Sequence, residues 1–467
     1  MTLKIFLEKT DSFLWEYFLM YLLIGIGIFL TLRLKGMQFR YLPFALKLAF
    51  SRHDDKAQGD ISQFQSLMTA MAATIGISSI AGMATAVIGG GFGAIFWMWV
   101  VSLIGMVTKY SEAILAVKYR KVDKNGEMCG GPMHYIEKGL RCKWLGVSFA
   151  VFGAFAAFGG GNLIQAQSIS DAMQELFHCS PLVCGFILSI LTGIVILGGI
   201  KNLGRINAFL VPIMALIYIM GGLIILFLHI EKILPSLWLI VKSAFSFRAV
   251  GSGVIGGNII MAMQMGVARG ISSNEAGLGS SPIAAAAAKT DLSGRQALIS
   301  MSGVFLSSFI VCSITVLVLA VTGVVGTTNA QGQMLNGAPL VMYAFSSNMP
   351  GGGLIVALGI TLFGFSTILG WSYYGEKCVE FLFGEKSLLY YRIIFIFIVL
   401  FGTLMSIELV WPLADIMNGM MAIPNLIGIF FLSKIIVTES DIFFDFLQKE
   451  KKISKKRKKE KRFSTRS

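Results

Sequence analysis

Charge is scarce in this chain. Asp, Glu, Lys and Arg make up 14% of its 467 residues, against about 25% in an ordinary soluble domain. With 55% hydrophobic residues and a mean hydropathy of +0.75, so little charge excludes a water-coated globule and points to a polytopic membrane protein. Cysteine is sparse and unpatterned. None of Cys129, Cys142, Cys179, Cys184, Cys312 and Cys378 stands in a CxxC or Cys/His spacing, and the four histidines are scattered, so neither a zinc site nor a disulfide framework is expected and the six read as free thiols. A cleavable leader is missing as well. The first 17 residues mix Lys4, Glu8, Lys9, Asp11 and Glu16 with apolar ones, and no short apolar core precedes a small-residue cleavage site, so the mature chain is expected to start at Met1. The apolar segments hold no grouping of nucleophile, base and orienting residue, which makes an enzyme the weakest reading.

Long apolar runs are abundant. Spans of about 20 residues can be placed at 13–34, 62–88, 93–117, 146–171, 182–200, 206–229, 251–287, 297–323, 352–374, 389–407 and 413–433. The segment 235–246, opening at Pro235, reads as an interfacial helix, and 328–350 as a long uncharged loop. With the N-terminus outside, 33 of the 39 Lys and Arg residues fall on the inner side and five on the outer. That bias places the C-terminus in the cytoplasm. The densest basic run, 449–466, is drawn to anionic lipid by about 1 kcal/mol per charge, which accounts for it better than nucleic-acid binding; this tail is expected to be disordered.

Two of the spans are interrupted. At the centre of 62–88 stand Gly76-Ile77-Ser78-Ser79-Ile80-Ala81-Gly82, and irregular backbone at that depth survives only where protein or a watery cavity satisfies its N–H and C=O groups. The span 251–287 carries Gly251, Gly253, Gly256, Gly257 and Asn258 early, then Gly266, Gly270, Ser272, Ser273, Asn274, Glu275, Gly277 and Gly279. Its break is expected near 256–270. Each broken span opens a set of five, the pattern of an inverted-repeat transporter whose site lies between the breaks. The expected organisation is a peripheral first helix and basic loop (1–60), a first repeat (61–229), an external interfacial segment (230–250), a second repeat (251–434) and a basic tail (435–467).

Four motifs go further. The run 80–93 followed by Ala94-Ile95-Phe96-Trp97-Met98-Trp99, then Gly130-Gly131-Pro132-Met133, then Arg269-Gly270 with Ser273-Asn274-Glu275-Ala276-Gly277-Leu278-Gly279-Ser280, and Phe365-Ser366-Thr367-Ile368-Leu369-Gly370-Trp371-Ser372-Tyr373-Tyr374-Gly375-Glu376 resemble the alanine/glycine:cation symporters from about residue 60 to about 435. The resemblance implies an all-α LeuT-type fold, a 5+5 inverted repeat with one extra N-terminal helix and about eleven spans. It also implies sodium-coupled uptake of alanine or glycine without covalent chemistry. Gly130-Gly131-Pro132-Met133 looks like the family's intracellular re-entrant element.

The residues allow that reading. A small zwitterion needs donors for its carboxylate, and the end of an unwound half-helix offers free N–H groups and a positive dipole. Glycine lets the backbone approach the ligand. Gly76, Ser78, Ser79, Gly82, Gly266 and Gly270 are therefore candidate substrate contacts, with freed carbonyls for the ammonium or for sodium. Gln165 and Asn162 share a face of the fourth span by their spacing, open either to substrate or to an interhelical bond, and the family pattern favours Gln165 as a contact. The resemblance also makes Trp371 a lid, and makes Ser366 and Thr367, with backbone near Gly76, a sodium site; the plain alternative is hydroxyls bonding one turn back. Arg269 and Glu275 are a candidate gate pair, Glu275 alternatively a structural cap. With His134 cytoplasmic and no acid seen at mid-span, a proton relay lacks a carrier.

The chain departs from the family pattern at several places. Ser79 stands where the family has Asn, and Ser307 where it usually has Asp. Both belong to the first sodium site of LeuT-type folds, and exchanging an amide and a carboxylate for hydroxyls is expected to weaken or remove that site. Ser272 replaces a Phe and Gln264 a frequent Arg, changes that enlarge or repolarise the pocket. The leading expectation is sodium symport of small neutral amino acids; an exchanger, a proton-coupled form and a non-transporting sensor are the alternatives.

Overall fold

A computed structural model describes residues 2–51, 57–246, 259–329, 331–405 and 407–464. In chain order the helices are α1 (Thr2–Ser12), continued through a π-helical stretch (Phe13–Leu19) into α2 (Met20–Arg33), α3 (Met37–Ala49), α4 (Gln63–Thr74), α5 (Ala81–Gly90) and α6 (Gly93–Lys118). A hairpin of β1 (Lys121–Val122) and β2 (Met128–Cys129) leads to α7 (Pro132–Gly139), α8 (Lys143–Phe158), α9 (Ile164–Phe177), α10 (Pro181–Ile196), α11 (Gly199–Leu228) and α12 (Ile230–Ala244). The second half holds α13 (Ile259–Asn274), α14 (Ser281–Ala286), α15 (Ser293–Val304), α16 (Ser313–Thr322), α17 (Gly337–Ser346), α18 (Gly352–Phe383), α19 (Leu388–Gly402), α20 (Ile407–Phe431) and α21 (Ser433–Ser464). Among the described residues, seven continuous helical stretches are long and apolar enough to cross a bilayer. The remaining expected spans are two broken helices and the shorter α10 and α19, which length alone does not count.

The first break is where the glycine and serines place it. Ser62 starts α4 with a capping box, its Oγ accepting from the Gln65 N–H at 3.1 Å while Gln65 Oε1 accepts from the Ser62 N–H at 2.9 Å. The helix ends at Thr74, one 3-10 turn spans Ile77–Ser79, and α5 resumes at Ala81. The second break differs from expectation. Residues 251–258 lie outside the described residues, but Gly266 and Gly270 sit inside the continuous α13, and among the described residues the chain unwinds after Asn274. The two glycines are packing positions. A Cβ on Gly266 would stand 2.2 Å from the Ala94 carbonyl oxygen, and one on Gly270 2.9 Å from Val101 Cγ1, so this Gly-x-x-x-Gly face lets α13 lie close on α6.

Three further expectations are corrected. The segment after α11 is helical from Ile230, with Pro235 inside it, and the loop 328–350 contains α17. The chain is helical through α21, and the part ahead of the basic run docks: Ile436, Ser440, Phe443 and Leu447 recur at helical spacing and are buried, and Tyr110 donates to Ser440 Oγ at 3.1 Å.

The approach to α4 and the end of α14 are stitched together. The Asp60 and Ile61 N–H groups donate to the Ala287 carbonyl (2.9 and 3.2 Å), and Lys289 N–H donates to Ile61 O (2.8 Å). Arg120, just past α6, spreads its donors over the carbonyls of Gln58 (3.0 Å), Ala286 (3.1 Å), Ala288 (2.7 Å) and Thr290 (2.9 Å). Replacing Arg120 with Ala is expected to raise amide hydrogen exchange at residues 60, 61 and 289 by roughly tenfold or more, leaving α18 unchanged; parent-like exchange there would show that the guanidinium is not the latch. Beside it, Asp123, Cys129 and Glu380 converge on one point. That point is taken by the Lys377 ammonium, 3.8, 3.4 and 2.8 Å from them.

Candidate functional site

The first break sets one wall of a central cavity of about 70 Å³. Gly76 is extended there (φ −105°, ψ −161°). A Cβ on it would fall 2.7 Å from Thr367 Oγ1 and 3.3 Å from Gln165 Oε1, so only glycine lets α18 and α9 close on the unwound backbone. Ser366 and Thr367 hydroxyls both donate to the Ala72 carbonyl, at 3.3 and 3.0 Å, and to Phe363 O one turn back, at 2.9 Å each. Ala72 O is available because its helical partner four residues on falls in the break. Two hydroxyls and a freed carbonyl make an oxygen-only cluster, the donor chemistry of a hard cation.

The second break is built around charges. Glu275 adopts a left-handed conformation (φ +54°), as do Gly277 (φ +90°) and Gly279 (φ +85°), and a non-glycine residue held there marks a segment fixed by its surroundings. Glu275 Oε1 accepts from Trp371 Nε1 at 3.1 Å, and Oε2 from Ser280 Oγ at 2.7 Å and Thr74 Oγ1 at 3.4 Å. One carboxylate thereby ties α4, α18 and the second break together at the cavity wall. Glu112 of α6 holds the rest: its Oε1 accepts from the N–H groups of Gly277 and Gly279 (3.1 Å each) and from Asn425 Nδ2 (2.7 Å). Lys109, one turn earlier, donates to Asn274 O at 2.8 Å, a cation at the C-terminal end of a half-helix.

The remaining candidates divide. Gln165 lines the cavity, its Nε2 donating to Gly160 O at 3.0 Å within the π-helical stretch Gly159–Leu163 and its Oε1 buried without a partner. Asn162 turns away to Phe395 O at 2.9 Å, an interhelical bond. Trp371 lies over Gly161, where a Cβ would come within 2.3 Å of it. Ser78 faces the cavity and donates to Ser272 O at 3.3 Å, joining the two broken helices. Ser79, Gly82 and Ser307 stand behind the wall. Ser79 is fully buried, its carbonyl accepting from Thr315 Oγ1 at 3.1 Å, and Ser307 donates to Ser273 O.

The Arg269–Glu275 pair does not form. Arg269 lies over the Trp411 ring, 5.6 Å from its centroid, and faces Asp415. Glu275, expected at the inner end of its span, is in the break itself, so an acid does stand at the site. His134, on α7 against Phe381, is buried, and burial pushes its imidazole down to about 3, leaving it neutral across the physiological range.

The profile of the sodium:alanine symporter family matches residues 1–460. The chain belongs to this family. The "Sodium/alanine symporter AgcS" of Methanococcus maripaludis is 54% identical over 450 residues, 95% of this chain and 98% of that one. The "Probable sodium/glutamine symporter GlnT" of Bacillus subtilis is 37% identical over 429 residues, covering 92% and 88%. Among solved structures, MhsT in complex with L-phenylalanine aligns with a TM-score of 0.56 at 13% identity, over 82% of this chain and 93% of that one, which shows the LeuT-type fold. The symporter is thus a multi-pass membrane transporter that moves an amino acid together with sodium.

Ala72, Lys109 and Glu112, which build the surroundings of the candidate site, are among the residues that escaped the sequence reading. Ala72 carries no side-chain signal. Lys109 and Glu112 did carry one, being charges inside an apolar span, where ionisable residues are by default functional or structural centres.

Proposed function

We propose that this symporter takes up alanine and glycine, with D-alanine and serine as further substrates, driven by a single sodium ion, from the side bearing its N-terminus to the cytoplasm. The observation that carries the reading is Gly76, whose bare backbone faces an oxygen cluster on one side and the unpartnered Gln165 Oε1 on the other. Sodium binds Ala72 O, Ser366 and Thr367. The amino-acid carboxylate meets the N–H groups of the first break at Ile77 and Ser78, which line the cavity, and Gln165 Oε1 accepts from the ammonium. At roughly 10–15 Å³ per water-sized group, about 70 Å³ holds roughly five to seven non-hydrogen atoms, the size of glycine or alanine.

The latch at Arg120 closes one end. At the other, a cavity of about 380 Å³ reaches from Asn336 and Asp171 down to Ile77, Arg269 and Trp411. The basic-residue bias puts the latched end inside, so the arrangement is outward-facing, with Arg269 on Trp411 between vestibule and site. Alternating access then consists of closing that layer and releasing the latch. Uptake of labelled alanine, glycine and serine into proteoliposomes under inward sodium or potassium gradients tests this; equal uptake under both cations would refute the coupling.

Site one is read as lost. Ser79 and Ser307 sit in a packed wall, their hydroxyls too short to replace an amide and a carboxylate around an ion. Restoring Asn at Ser79 and Asp at Ser307 together is expected to steepen the sodium dependence of uptake, provided size-exclusion profiles show that the overpacked protein, at about 1–3 kcal/mol, still folds. A folded double variant with the parent's sodium curve would show that these positions do not define an ion site.

A further inference from the structure

The half-helices α4 and α13 finish their C-terminal ends differently. The end of α4 presents a freed carbonyl, Ala72 O, beneath two hydroxyls. At the end of α13 the carbonyls are taken: Ile271 O accepts from the Glu275 N–H at 2.7 Å, Ser272 O from Ser78 Oγ at 3.3 Å, Ser273 O from Ser307 Oγ, and Asn274 O from Lys109 Nζ at 2.8 Å. Unwound carbonyls at the negative end of a half-helix dipole are where a transporter meets a cation. At α13 that cation belongs to the chain itself.

We propose that Lys109 is a built-in cation that fixes coupling at one sodium ion per amino acid, standing at the end of α13 where a second ion would otherwise bind. The inference rests on reading Ala72 O, Ser366 and Thr367 as the sodium site. Lys109, Glu112 and Glu275 are all buried, and the two carboxylates face the one ammonium. Every hydrogen bond made by these carboxyl groups is one they accept, the pattern of the ionised form. Glu275 links the ammonium to the sodium cluster, since Oε2 accepts from Thr74, two residues past Ala72, and Oε1 from Trp371, one turn past Thr367. One ammonium and two carboxylates leave a single negative charge beside the second break, and a buried charge needs a partner. One sodium supplies it, because the zwitterionic substrate adds no net charge. Without the ammonium two negative charges remain, and the space it leaves is ringed by oxygens suited to a hard cation: Asn274 O, Glu275 and Glu112, whose Oε2 is buried without a partner.

The test measures the ratio of labelled sodium to labelled alanine entering proteoliposomes that carry the full-length symporter. The parent is expected to give a ratio of about one, and Lys109→Met and Lys109→Gln a ratio of about two with a sigmoidal sodium curve. A fastener of α13 and nothing more would change the amount of folded protein and the rate of uptake but not this ratio. Adding Glu112→Gln to Lys109→Met removes one charge of each sign, and the ratio is expected to return to about one. Sodium is also expected to stabilise the single variants, so that they purify as monodisperse protein in sodium better than in choline. A ratio of about one in a folded single variant, or loss of both single variants in sodium and choline alike, would overturn the role of Lys109 and leave sodium-driven alanine uptake standing. Alanine entering the parent without sodium would instead overturn the sodium site on which the inference rests.

Discussion

Glu112→Ala is expected to leave little folded transporter. Its carboxylate accepts from Gly277, Gly279 and Asn425, and it is the buried counter-charge nearest along α6 to Lys109, which itself reaches the end of α13. Truncation strands two backbone N–H groups and the Asn425 amide, and removes one of the two carboxylates, with Glu275, that face the Lys109 ammonium. Each buried donor left unsatisfied costs about 1–3 kcal/mol, set against a total stability of about 5–15 kcal/mol. Fluorescence size-exclusion should show a large loss of the monodisperse peak. Glu112→Gln keeps one oxygen for the N–H groups and should lose less. A parent-like profile for Glu112→Ala alone would mean that the second break is held by something else.

Ser366→Ala combined with Thr367→Val is expected to remove sodium stimulation while leaving the site's shape. Both side chains keep close to their volume, but the two hydroxyls over Ala72 O disappear. Contacts to a charged partner are worth about 1.5–3 kcal/mol each, so half-saturation by sodium should move up by roughly a hundredfold or more. An unchanged half-saturation constant would place the ion elsewhere.

The first break was legible because polar and helix-breaking residues interrupt an otherwise apolar run. The second was misplaced because glycine has two uses that look alike in a sequence. Gly266 and Gly270 are small so that α13 and α6 can touch, whereas Gly277 and Gly279 are there for their positive φ; composition does not separate these, and the spacing of four was the missed cue. Arg269 and Glu275 were paired on charge alone. Six residues apart on a helix they point to different faces, and the break then carries Glu275 to Trp371 and Ser280 instead. Charge dominates the tail's composition, while the buried stripe Ile436, Ser440, Phe443 and Leu447 lies ahead of the basic run and docks the first part of α21.

The central claim is that an amino acid and sodium share one site between the breaks and cross together. The direct measurement is alanine-driven flux of labelled sodium into proteoliposomes with no sodium gradient imposed. The account predicts that sodium enters with alanine in a fixed ratio, and that Ser366→Ala with Thr367→Val abolishes this flux. Alanine entering with no accompanying sodium would contradict it.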